Sequence, residues 1–361
     1  MLTWMAVVAV VFVHAYNLSN RLLSENAEAT PHTPHGVVGF VQYLGSQTLT
    51  RWPAALLFAI SGFLFFHNLE PRVGQFVSKI RRRARTLALP YLLWSSWSLA
   101  VYVVSHALPS VQAYVSADAL NRLTIGSVLE RLFVSPVAYP LWFLQALFTC
   151  ALLSPAIWAL VRFLGPLALA PFTVAWLLHV DLGAAGYLPC KALLFFTFGA
   201  LVATRMRADQ RVPFSGPNGS ATSAALGRWL LPLFVAACIL YTALLRNEQS
   251  WAAATAHQLL MCLAVAAVWF GYDAYLIPLV RRRWLTASAT LSFFVFAAQE
   301  PLLMIFKRLI LHTGGGGRVS DAVILATYFA APLLTIAVSL AAGWMLRRHA
   351  RPLYRLLTGG R

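Results

Sequence analysis

Long apolar runs follow one another along the whole chain, separated by short polar or basic clusters. A helix that crosses the hydrocarbon core of a bilayer takes about 20 apolar residues, within a range of roughly 17–25. Runs of that kind fall at approximately 1–18, 51–67, 87–106, 139–161, 164–180, 188–204, 229–245, 255–275, 286–311 and 322–346. The pattern predicts an all-α, polytopic membrane protein of about ten transmembrane helices, forming a single membrane domain over 1–361. Two polar stretches, 19–50 and 107–138, read as long outside loops. The second contains an amphipathic segment around Ile125–Val134, suited to a lid or an interfacial helix. The Gly/Ser/Pro-rich stretch 205–227 reads as a flexible inside linker. Gly314–Gly317 reads as an outside turn; no strand precedes it and no Lys-Ser/Thr follows, so it is not a phosphate loop.

Composition adds weight to this picture and charge orients it. The chain of 361 residues is 60% hydrophobic and only 11% charged, whereas a soluble domain carries roughly 25% charged residues. The net charge of +17 is concentrated in short clusters between apolar runs. That arrangement suits anionic lipid and topology control rather than nucleic acid. With the N-terminus in the cytoplasm, 19 of the 28 Lys and Arg residues fall on inside segments, which predicts an N-in/C-in topology. Met1–Leu18 has neither a basic leading segment nor a small-residue cleavage site, so it reads as a first span rather than a signal peptide. The four cysteines, 150, 190, 238 and 262, lie in or beside apolar runs without CxxC spacing. They read as buried hydrophobes, with no disulfide framework and no metal site.

Polar groups inside a bilayer are costly, so each is a candidate for function. His14, near the end of the first run, falls in the outer half of the membrane; its imidazole suits a general base or nucleophile, or a structural bond to a neighbouring helix. Ser61-Gly62-Phe63 lies in the second run, where small residues also serve helix packing. Lys79, Arg81, Arg82, Arg83 and Arg85 form a cluster before Leu87-Ala-Leu-Pro-Tyr91. They serve either as a topology anchor or as guanidinium forks for a phosphate-bearing ligand. Glu300, in Gln299-Glu300-Pro301, puts a carboxylate in mid-span, where it must be protonated, paired or wet. Trp142 in Pro140-Leu-Trp-Phe143 is most simply an interfacial aromatic; lining an outward cavity is one role open to His257 and Lys191, which the sequence alone does not decide. His106, His179 and His312 fall near outer boundaries, and Asp273 near the inner end of its span.

Taken in order, these features resemble the acyltransferase-3 family of bacterial membrane proteins over essentially the whole chain. The residues that carry the resemblance are His14 at the end of span one, Ser61-Gly62-Phe63 in span two, and Arg82-Arg83-Ala84-Arg85 before Leu-Pro-Tyr. Further along come Trp142-Phe143, Phe195-Phe-Thr-Phe-Gly199, and Ser292-Phe-Phe through Glu300-Pro-Leu. Two positions depart from the family pattern. Thr3 stands where an Arg usually precedes the His by eleven residues, and Gln299 stands where a His often precedes the Glu. Either the start lies upstream of Met1, which the short first run favours, or this member lacks the Arg.

The resemblance implies a membrane-bound O-acyltransferase of the bacterial inner membrane. It implies an acyl-CoA donor, most simply acetyl-CoA, with no metal, and a polysaccharide or lipid-linked oligosaccharide acceptor alongside other glycan-assembly proteins. It further implies catalytic roles for His14 and Glu300. Donor contacts would come from Arg81, Arg82, Arg85, Ser61, Gly62 and Phe63, and acceptor contacts from Trp142 and Gln299. The competing class is a transporter or flippase of a glycan or small solute, which also needs intramembrane polar groups. An inner arginine fork opposite an outer histidine favours the acyltransferase, and no inverted pair of Gly/Pro-broken segments is evident.

Overall fold

The computed structural model describes residues 1–16, 36–107, 124–180, 188–205, 221–276, 282–313 and 320–360. Among them every regular element is helical. The expectations for 19–35, most of 107–123, most of the 205–227 linker and Gly314–Gly317 lie outside the described residues.

The helices in chain order are α1 (Leu2–His14), α2 (Gly36–Tyr43), α3 (Pro53–Phe66), α4 (Val73–Arg83), α5 (Leu89–Ala107), α6 (Ile125–Phe133), α7 (Trp142–Leu152), α8 (Ser154–Leu164), α9 (Ala170–Leu177), α10 (Cys190–Arg205), α11 (Ala221–Leu245), α12 (Trp251–Gly271), α13 (Arg283–Ala289), α14 (Ser292–Thr313), α15 (Asp321–His349) and α16 (Arg351–Thr358). Six continuous helical stretches are long and apolar enough to cross a membrane: Gly36–Phe66, Val73–Val104, Ser154–Leu177, Ser223–Leu245, Trp251–Tyr275 and Asp321–His349. Leu2–Ala15 and Tyr139–Leu152 are shorter apolar helices. Large apolar side chains stand outward on the long helices, among them Trp229, Leu233, Leu240 and Leu244 on α11 and Leu333, Leu334 and Met345 on α15. Such a surface is unfavourable in water and natural in lipid.

The stretch 36–50, expected as part of an outside loop, is helical instead: α2 runs into a wider π turn over Leu44–Leu49 that leads to α3. Its polar residues Gln42, Ser46 and Thr48 are buried rather than solvated. Ser46 donates to the Phe12 carbonyl at 2.5 Å and shares a hydrogen bond with the Tyr328 hydroxyl at 2.9 Å, while Thr48 donates back to Leu44 at 2.7 Å. A helix that carries polar side chains into the bundle has no continuous apolar run. The expected 139–161 run is two helices, α7 and α8, and α8 continues through a tighter helical turn at Gly165–Leu169, where Gly165 has φ +57°, into α9, across the expected boundary with the next run. The amphipathic helix expected near 125–134 is α6, opened by a Thr124/Ser127 capping box. It leaves Ile125, Leu129 and Phe133 exposed along one stripe.

Two parallel helices, α3 and α10, form the tightest pair. Gly62 lies against the Phe196 carbonyl, and Gly199 lies against the Ala59 carbonyl and the Phe63 amide, so a Cβ at either position would collide with backbone. Small residues let backbones approach closely where lipid supplies no hydrophobic drive between helices. The pair has a cavity at each end. Arg51 and Lys191, at the starts of α3 and α10, line one; Phe66–Leu69 and Ala203–Arg205, at their ends, line the other.

Candidate active site

The last turn of α1 is fixed by its neighbours. Helix ends leave carbonyls without intrahelical partners. Here Ser46 donates to the Phe12 carbonyl at 2.5 Å, and the Lys307 amine donates to the His14 carbonyl. A cation at a helix C-terminus also meets the negative end of the helix dipole. His14 is thereby held with its ring edge-on to Tyr139, at 5.6 Å between ring centroids. Its imidazole makes no hydrogen bond among the described residues.

Lys307 comes from α14, whose path explains the position of Glu300. The residue before a proline is biased away from helical geometry, and Glu300, before Pro301, has φ −105° and ψ 131° inside an otherwise helical run. The break sets Glu300, partly buried, within reach of the Lys307 charge, which also acts on His14. The Lys307 charge thus acts on both expected catalytic residues, and no direct bond joins His14 to Glu300 among the described residues. Gln299 is fully buried, and neither end of its amide has a partner among the described residues.

Arg51 joins this centre to a cavity of about 810 Å³. Its charge acts on both His14 and Tyr139. Its Nε donates to Gln47 Oε1 at 3.0 Å, and a terminal nitrogen bonds the same oxygen. The cavity is further lined by Lys191, Tyr43, Tyr241, His257, His179 and Gln258. His257 bonds the Gln47 carbonyl through Nε2 at 2.7 Å, and the Gln258 amide bonds the Trp176 carbonyl at 2.7 Å and His179 Nε2 at 3.1 Å. Lys191 stands 5.1 Å over the Trp142 ring, as a cation–π contact. Trp142 packs with Phe58 and Phe143. His257 and Lys191, which the sequence left undecided, line the same cavity, and Trp142 meets it through Lys191.

The remaining expected site residues lie at the other end of α3. Lys79 caps that end, donating to the Phe65 carbonyl at 2.5 Å and the His67 carbonyl at 3.2 Å. Arg81 and Arg82 fall in the last turn of α4 and Arg85 in the π turn Ala84–Ala88, all three exposed. No carboxylate pairs with them among the described residues. Phe63 stacks on His67 at 5.2 Å, and Gly62 serves the α3–α10 contact. The second cavity, of about 480 Å³, lies at this end and is lined by His67, Arg162, Arg205 and Trp158 among others. At 1.5 Å per residue, α3 separates the two ends by about 21 Å.

Arg51, Tyr139 and Lys307 are residues of the candidate site that the sequence pattern does not single out. Arg51 and Tyr139 stand at the edges of apolar runs and Lys307 stands beside Arg308 inside one, and only the packing of α1, α3, α7 and α14 relates them. The one legible sign is that Arg51 and Lys307 belong to the minority of cations outside the inside segments.

A multi-pass helical bundle with a histidine, a carboxylate and cations gathered beside a polar cavity is the framework of a membrane transferase. The profile of an acyltransferase domain, that of the acyltransferase-3 family, matches residues 2–348, and the chain belongs to that family. It is similar to the succinoglycan biosynthesis protein ExoH of Rhizobium meliloti (strain 1021), with 27% identity over 337 residues, covering 91% of this chain and 84% of that one. No solved structure matches the chain.

Proposed function

We propose that this acyltransferase moves an acyl group, most simply acetyl, from cytoplasmic acyl-CoA to a sugar hydroxyl of an exported or lipid-linked polysaccharide. It would lie in the bacterial inner membrane as about ten spans with both termini inside. The observation that carries this reading is His14. Its ring stands edge-on to Tyr139 and within reach of the charge of Arg51, a residue that lines the larger cavity, about one α3 length from the exposed Arg81, Arg82 and Arg85. The arrangement answers a topological difficulty, since the donor is made on one side of the membrane and the acceptor is displayed on the other. The similarity to a succinoglycan biosynthesis protein supports a polysaccharide acceptor.

In this mechanism the donor's phosphates sit on Arg82 and Arg85, with Arg81 nearby. The acceptor enters the larger cavity against Trp142 and the residues around it. His14 takes the proton from the attacking hydroxyl, or accepts the acyl group first. Oxygen–acyl bond formation and release of the CoA thiol complete the transfer, the proton passing to the thiolate. Glu300 and Lys307 hold the α1–α14 contact that aims the imidazole, and the open amide of Gln299 offers a hydrogen bond to substrate. Phe58, Phe143 and Phe296, in mutual contact at 4.8 and 6.0 Å, border the seam between α3, α7 and α14 with apolar surface suited to a pantetheine arm.

Purified protein given radiolabelled acetyl-CoA and the lipid-linked glycans of the producing strain tests the reading. Label in the glycan fraction, lost in His14→Ala, is expected. Label retained by His14→Ala at normal protein level would reject the histidine, and uptake of glycan into vesicles without acyl transfer would favour a transporter.

A further inference from the structure

The larger cavity is built for more than a neutral sugar. Two cations, Arg51 and Lys191, stand on its wall, near enough for their charges to act on each other. Like charges partly withdrawn from bulk water repel more strongly than in it, and folds normally place a carboxylate between them. Among the described residues none is there: the ion pair they contain is Arg72–Glu70, at 3.5 Å and far from this cavity. The acidic residue lining the cavity, Glu248, is exposed and follows Arg246 by two positions.

Neutral groups position the two cations instead. Gln47 Oε1 takes two donors of the Arg51 guanidinium, and the Gln47 backbone is itself tied to His257 at 2.7 Å, so Arg51 is held from behind with donors to spare. Lys191 is seated on the Trp142 ring at 5.1 Å and has no hydrogen-bond partner among the described residues. A guanidinium fork and an ammonium, each seated by neutral groups and without an ion-pair partner among the described residues, make a receptor for a carboxylate or phosphate.

We propose that Arg51 and Lys191 bind an anionic group carried by the acceptor, a sugar carboxylate or the phosphate of a lipid-linked glycan. That Arg51 also stands beside Tyr139 and His14 gives the contact a second effect. An anion held there sets the neighbouring sugar next to the imidazole, so charge recognition and register of transfer are one event. A neutral glycan leaves both cations unpaired and is discriminated against for that reason. The assignment of the anion to an acyl acceptor rests on the preceding section; the anion site stands on the cavity itself.

Binding and transfer are therefore measured separately. Full-length protein in zwitterionic nanodiscs is titrated with tetraglucuronate, with the same oligosaccharide after carboxyl reduction, and with inorganic pyrophosphate, and binding is read by thermophoresis. Tetraglucuronate or pyrophosphate is expected to bind at least about tenfold more tightly than the reduced sugar. Whichever anion binds better identifies the source as sugar or lipid phosphate. Arg51→Gln and Lys191→Met should each remove the preference, Lys191→Arg should keep it, and Arg348→Gln, at the opposite end of the bundle, should not change it. Equal affinity for charged and reduced sugars, with no affinity for pyrophosphate, would overturn the proposal. So would a preference that survives Arg51→Gln and Lys191→Met together. Anion preference without acyl transfer to any glycan would instead remove the transferase reading and leave the site standing.

Discussion

Replacing Lys307 by Met keeps most of its length and removes the amine that bonds the His14 carbonyl. If Lys307 positions the imidazole, Lys307→Met should lower kcat by about tenfold or more with KM for acyl-CoA unchanged. Lys307→Arg should restore part of the loss, and an equal rise in KM would show that the amine serves donor binding instead. His14→Ala should be more severe, about a hundred- to ten-thousandfold in kcat, the usual weight of one acid–base group. Gly62→Ala belongs to a different mechanism, since its Cβ would meet the Phe196 backbone rather than a movable side chain. About 1–3 kcal/mol of destabilisation is expected, seen as a lowered melting temperature in detergent with donor affinity per folded molecule unchanged. His14 and Glu300 were legible as ionisable groups inside apolar runs. Gly62 was legible only as a choice between packing and binding, which the distance to Phe196 decides in favour of packing. Arg51 and Tyr139 were not legible, because their meaning lies in which helices meet there.

At the level of elements, hydropathy found the helices that face lipid and lost those that do not. α11 and α15 carry outward apolar side chains along their length and read cleanly. Residues 36–50 hide Gln42, Ser46 and Thr48 inside the bundle, so their polarity signals a loop where there is a helix. α6 reads correctly because its two faces differ, and its exposed stripe of Ile125, Leu129 and Phe133 has a consequence. As an interfacial helix it should lose depth when Leu129 and Phe133 are changed to Ser. A fluorophore attached at Gly126, where a larger side chain has room, should then report a more aqueous environment. An unshifted emission would mean that the stripe is covered by protein rather than lipid.

For the whole molecule the sidedness of the two cavities is the property to establish. Single cysteines at Gly126 and Gly74, both in open surroundings, serve as reporters once the native cysteines are replaced. An impermeant maleimide should label Gly126→Cys in intact cells and Gly74→Cys only after permeabilisation; the reverse order would invert the proposed topology. On the inner side, Arg82→Gln with Arg85→Gln should raise KM for acyl-CoA by about tenfold. It should also flatten the dependence of KM on ionic strength, since exposed charges act through a screened field. No motif predicts this sidedness by itself. The charge bias oriented the chain, and the parallel course of α3 and α10 places an opening at each end of one helix pair.

The glycine crossing of that pair bears on how a cell tolerates the protein. In the energised inner membrane proposed for this chain, a path reaching both faces would risk a leak for protons and ions. Where Gly62 and Gly199 press α3 and α10 together backbone to backbone, no side chain intervenes and no file of water fits. Along this seam the two chambers are insulated from each other, and the cargo must pass elsewhere. Growth yield and resting membrane potential, quantities remote from sugar chemistry, would be the first to register its loosening.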